Sequence, residues 1–170
     1  MRWFIAAFMF LLGLVLAETS LLPAVLGSAL RPSLVLTCTA VWVALRGTDG
    51  LLWVFVGGFL LDLSSNTPVG LTSFGMLIGN IVAGLVDRAP IPSATARAAT
   101  WVALVTVVSY GLHVGGLALS GLQVDVPYAI TNVVLPLMVL NSLLAVLAYA
   151  VLKPISERLE RSQAGRTIVL

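Results

Sequence analysis

Few side chains in this sequence have the chemistry for catalysis or ligand binding, and they stand far apart. Asp62 lies in the stretch Gly57-Gly58-Phe59-Leu60-Leu61-Asp62-Leu63-Ser64-Ser65-Asn66-Thr67-Pro68-Val69-Gly70, a polar, turn-forming segment between two apolar runs. Glu18 closes the first apolar run, and His113 sits in a later one near Tyr110. A proton relay within an apolar helix needs a chain of titratable partners, and no Asp or Glu neighbours His113 in its run. His113 therefore reads as a packing histidine and Glu18 as an acid reaching the interface. Asp62 has two readings: it caps the turn that follows through backbone N–H groups, or it contacts a partner protein. With one cysteine, Cys38, the chain has neither an internal disulfide nor a multi-cysteine metal site. The sequence contains no glycine-rich phosphate loop, no HExxH, and no nucleophile beside a base and an orienting acid. The expectation is no catalytic residue, no metal ligand and no cofactor, so not an enzyme.

The elements that hold these residues are set by composition. Of 170 residues, 59% are hydrophobic and 9% charged, with a mean hydropathy of +1.08. A soluble domain carries about 25% charged residues. So few charges do not cover a water-facing surface, so the solvent for most of this chain is lipid. The expected fold is an all-α integral membrane protein, a six-span helical bundle over 1–152 with spans near 3–21, 32–45, 50–61, 69–86, 98–119 and 128–152. A basic cytoplasmic tail, 153–170, follows; Lys153-Pro154 ends or kinks the last helix. The second and third spans are short for a hydrocarbon core of about 30 Å, and a five-span or hairpin-insertion topology is the alternative. No small-residue cleavage site follows Glu18-Thr19-Ser20, so the first run reads as a retained helix.

Basic residues set the orientation. With the N-terminus inside, Arg2, Arg46, Arg88, Arg97, Lys153, Arg158, Arg161 and Arg166 fall on the cytoplasmic side and Arg31 alone outside, eight and one of the nine. This predicts both termini in the cytoplasm and the Asp62 loop on the outer side. Trp3, Trp42, Trp53 and Trp101 lie near span ends or in short spans, as interfacial anchors do. Asn80, Asn132 and Asn141 read as hydrogen-bonding links between helices.

Small residues recur at helical spacing. Gly75, Gly79 and Ala83 share one face of the fourth span, and Gly111 and Gly115 one face of the fifth. Such faces let helix backbones approach closely; the pattern alone does not tell an internal contact from a partner's docking face. Two function classes survive: a scaffold that binds other membrane proteins, and a carrier that holds a small ligand between helices. Nucleic-acid binding is not expected, because the basic tail has no interleaved aromatic residues.

Gly58, Asp62, Ser64, Pro68 and Gly70, followed by small residues at Gly79 and Gly84, resemble the signature of the bacterial rod shape-determining protein MreD family. That family usually has another leucine between Leu63 and the serine position. Size, hydropathy and the short charged tail agree over the whole chain; the specific motif spans about 14 residues. The resemblance implies a non-catalytic component of the elongation machinery in the bacterial cytoplasmic (inner) membrane. It implies binding to the bitopic protein MreC, in a complex with RodA and a transpeptidase that serves side-wall peptidoglycan synthesis and cell shape. It also implies a fold similar to the S-components of energy-coupling-factor vitamin transporters, which keeps the carrier as the alternative. Gly58, Asp62, Ser64, Pro68 and Gly70 are carried over as structural or partner-binding positions.

Overall fold

The computed structural model describes residues 2–26, 31–65, 68–86, 91 and 93–167. Every element among them is helical. Helix α1 comprises Arg2–Leu16, a π turn at Ala17–Leu21 and Leu22–Leu26; α2 is Leu34–Arg46; a 3-10 turn at Gly47–Gly50 leads to α3, Leu51–Ser64. Then come α4, Leu71–Val86, and α5, Ala94–Leu119. The last, α6, comprises Val126–Ala129, a π turn at Ile130–Val134 and Leu135–Thr167.

The two π turns share a cause. Each ends two residues before a proline, Pro23 or Pro136. A proline has no N–H to give the carbonyl four residues back, and its ring crowds that carbonyl. The helix opens by one residue instead: the N–H of Leu22 donates to the Ala17 carbonyl and that of Leu135 to Ile130.

Four stretches are long and apolar enough to cross a membrane: Phe4–Val25, Leu34–Ser64, Ala94–Leu119 and Val126–Arg161; Leu71–Leu85 is a shorter apolar helix. The second stretch is not straight. Gly47 has φ of 64°, outside helical space, and a Cβ on Gly57 would lie 2.8 Å from Val35 Cγ1. Residues so distant in sequence meet only if α3 folds back along α2. The two antiparallel helices rise roughly 20 and 21 Å, at 1.5 Å per residue.

Side-chain contacts give the direction of the remaining helices. Phe4 lies against Trp53, and the Leu11 side chain would meet a Cβ on Gly57, so α1 runs parallel to α3. Gly58 abuts Ser73, and Gly75 and Gly79 abut Ser109 and Val105, so α4 is antiparallel to both α3 and α5. Asn141 reaches Ser33 and Thr106, and Arg46 pairs with Glu160 at 3.4 Å. Thus α6 runs with α2 and against α5, and the six rods alternate in direction. One end of the bundle gathers Leu22–Leu26, Arg31, Asp62 and Leu119. The other gathers Arg46, Ser93 and Lys153. The core between them holds Leu11, Val15, Val35, Val41, Val54, Met76, Val102 and Val105. The periphery is apolar: Val25, Leu85, Leu119 and Leu147 are 78%, 69%, 91% and 66% exposed, a surface suited to lipid.

Several expectations change. The first span extends to Leu26, the fifth begins at Ala94 and the fourth is confined to Leu71–Val86. The last helix does not stop at Pro154 but continues to Thr167. Trp101 is 8% exposed and lies inside, its Nε1 donating to Asn80 Oδ1 at 3.0 Å; it is no interfacial anchor. Asn80 and Asn141 do link helices, whereas Asn132 is exposed and donates to Tyr128 and Thr131 of its own helix. The turn at 87–90 and Asn66 lie outside the described residues.

The small residues now divide. A Cβ on Gly79 would stand 2.9 Å from Ser109 Oγ and 3.0 Å from the Val105 carbonyl, whereas one on Gly115 would meet nothing within 4 Å. Gly79→Val should therefore lower the thermal midpoint of the detergent-solubilised protein by the equivalent of about 1–3 kcal/mol, as overpacking does, while Gly115→Ala does not lower it. Equal midpoints for both variants would contradict the α4–α5 contact.

Candidate functional site

The polar segment singled out in the sequence is the corner between α3 and α4. The first N–H groups of a helix lack intrahelical partners and need an acceptor from elsewhere. Asp62, 1% exposed, fills that need. Its Oδ2 accepts from the N–H of Gly70 at 3.0 Å, the N–H of Ser73 at 3.2 Å and the Ser73 hydroxyl at 2.8 Å; Oδ1 accepts from the N–H of Thr72 at 3.1 Å. The carboxylate also stands at the positive end of α4. Asp62 thus caps the turn that follows it, through Gly70, and also the start of the next helix, through Thr72 and Ser73, ten and eleven residues on.

Its motif neighbours complete the corner. Gly70 has φ of 98°, a conformation that strains an L side chain. A Cβ on Gly58 would lie 2.6 Å from Ser73 Cα, so only glycine lets α3 and α4 approach this closely. The Pro68 carbonyl accepts from the N–H of Leu71 at 3.2 Å. Ser64 is exposed and donates to the Leu60 carbonyl at 2.8 Å; it does not touch the Asp62 cluster.

The same end of the bundle contains a cavity of about 400 Å³. Glu18 and Thr19 of α1, Arg31 and Ser33 before α2, Thr72 and Met76 of α4, and Ser109, Tyr110 and His113 of α5 line it. Sequence reasoning missed this grouping. Glu18, read from the sequence as an acid reaching the interface, is half-buried, and its Oε2 accepts from the N–H of Val35 at 2.9 Å. The start of α2 is completed by Ser33 Oγ, which accepts from Leu36, while the N–H of Ser33 donates to Asn141 Oδ1. His113, half-buried, lines the cavity with Tyr110. The signal was there in part. His113 and Tyr110 lie three apart on one helical face, but their meeting with Glu18 and Arg31 depends on chain reversals that no local pattern encodes.

Among the described residues no three His, Cys, Asp or Glu side chains group as metal ligands. The arrangement offers two anchored carboxylates, each at a helix N-terminus, and a cavity of mixed polar and apolar lining between five helices. Comparison with models of protein families, with characterised proteins and with solved structures finds no match.

Both Asp62 oxygens accept from donors, so an amide is a poor substitute: its NH₂ must face an N–H. Asp62→Asn should destabilise the solubilised protein by about 1–3 kcal/mol, the cost of leaving a buried donor unsatisfied, and Asp62→Leu by more. A thermal midpoint unchanged in Asp62→Leu would show that the corner does not depend on this cap.

Proposed function

We propose that this chain is a non-catalytic membrane scaffold of the MreD type that binds MreC in the elongation machinery of a bacterial cytoplasmic membrane. The observation that supports it most is the corner itself. Gly58, Asp62 and Gly70, three of the five residues that carry the resemblance, meet there in one arrangement that needs each of those residue types; Ser64 and Pro68 are not needed by it. A motif with that physical content is better grounds for kinship than a string of letters. RodA and a transpeptidase are the further partners this reading implies.

In this proposal all six rods cross the bilayer, the shorter ones aided by their flanks and by local thinning. Both termini lie in the cytoplasm. The alternation of the rods favours this, since Arg46, Arg97, Lys153, Arg158 and Arg161 belong to one end and Arg31 to the other.

The docking face is on α5. Gly75, Gly79 and Ala83 are occupied within the bundle. Gly111 and Gly115 are exposed and have nothing within 4 Å of where a Cβ would be. With Val107 and Leu112, 39% and 40% exposed, they form a shallow apolar surface on which one further helix can pack closely. The single transmembrane helix of MreC is the occupant this reading assigns. The alternative, a small-molecule carrier resembling a vitamin-transporter S-component, is favoured by the cavity at the Asp62 end, whose lining mixes polar and apolar side chains.

Two experiments test the proposal. Co-expressed MreC should co-purify with the wild type and be lost from a Gly111→Leu, Gly115→Leu variant whose thermal midpoint is unchanged; full recovery with that variant would remove the α5 surface from the account. In a Cys38→Ala background, an impermeant maleimide applied to intact cells should label a cysteine at Gln123 but not one at Thr48. Labelling of the Thr48 position would overturn the orientation.

A further inference from the structure

We propose that the cavity at the Asp62 end is a binding site for an oxyanion, a phosphate or carboxylate borne on an apolar body. Most hydroxyls that line the cavity are already committed to the protein. Thr19 donates to the Val15 carbonyl at 2.8 Å, Ser64 to Leu60 at 2.8 Å, and Ser109 to Gly75 at 3.0 Å. Ser33 Oγ accepts from Leu36 at 3.2 Å.

Three side chains are not committed. Arg31, Tyr110 and His113 line the cavity and make no hydrogen bond or ion pair to any described residue. A guanidinium, a phenol and an imidazole are all hydrogen-bond donors. A guanidinium presents a planar fork that matches carboxylate and phosphate.

Glu18 also lines the cavity, and an anion there would repel an anionic ligand. Its carboxylate, however, is held at the N-terminus of α2 by the Val35 N–H, where the helix dipole offsets negative charge. It forms no ion pair with Arg31 within 4 Å, so the guanidinium stays uncommitted. The second acid at this end, Asp62, is likewise enclosed by four donors. The lining therefore combines three uncommitted donors with apolar side chains, Leu36, Leu61 and Met76. About 400 Å³ lies in the range of pockets that enclose small ligands. The site is independent of the α5 docking face and holds whether the bundle is a scaffold or a carrier.

The chemistry is shared by a lipid headgroup and a water-soluble anion, and the test separates them. Delipidated protein in neutral maltoside detergent is titrated calorimetrically with dodecyl phosphate, with inorganic phosphate and with dodecyltrimethylammonium. The expected result is saturable one-to-one binding of dodecyl phosphate but not of the cation. Arg31→Gln and Tyr110→Phe should each weaken it about tenfold or more while the ligand-free thermal midpoint stays at the wild-type value. If inorganic phosphate binds as tightly as dodecyl phosphate, the ligand is a soluble anion; if only dodecyl phosphate binds, it is a lipid headgroup. The proposal is overturned if neither phosphate binds, if the cation binds equally, or if either variant keeps wild-type affinity.

Discussion

Lipid supplies no hydrogen bonds, so the first turn of every helix that starts inside this bundle must find acceptors within the chain. The α3–α4 corner meets that constraint with one buried carboxylate and four donors. Once Asp62 is fixed, α4 can start only where Gly70, Thr72 and Ser73 reach it. The close approach at Gly58 follows, and so does the register that brings Gly75 and Gly79 onto Ser109 and Val105. The same solution recurs. Glu18 and Ser33 complete α2; at the surface, Ser93 caps α5 through Ala96 and Asp125 caps the start of α6 through Tyr128. Acids that look in the sequence like candidates for chemistry are largely used to start helices.

Packing then divides the small residues into two uses. Where a glycine faces a neighbouring backbone, it holds two helices at a distance no larger residue allows. Where it faces outward, as at Gly111 and Gly115, it stabilises nothing within the bundle. A stripe that does no internal work on a lipid-facing helix is the kind of surface a partner helix covers, and this links the packing to the scaffold reading.

Much of this was legible in the sequence. Composition specified an apolar helical bundle, and turn residues marked most of the breaks. A cap was one of two readings of Asp62, because an aspartate before a proline–glycine turn has few other local roles. What was not legible required knowledge of which helices meet. The sequence placed Trp101 near a span end, but its indole is drawn inside by Asn80, itself fixed on α4. The reach of Asp62 past the turn to Thr72 and Ser73 depends on the reversal between α3 and α4. The cavity is the clearest case: Glu18, Arg31, Tyr110 and His113 come from three separate segments, and each alone fits an ordinary role. Pro154, a helix breaker by local rules, lies within α6, which continues to Thr167.

The central claim is that Asp62 holds the start of α4, and amide hydrogen exchange tests it most directly. The N–H groups of Thr72 and Ser73 lie in the first turn, where no intrahelical carbonyl is available to them, so their protection reports on Asp62 itself. In lipid nanodiscs they should exchange as slowly as amides in the middle of α4, and much faster in an Asp62→Ala variant. Fast exchange at both positions in the wild type, or the same slow exchange in the variant, would contradict the account.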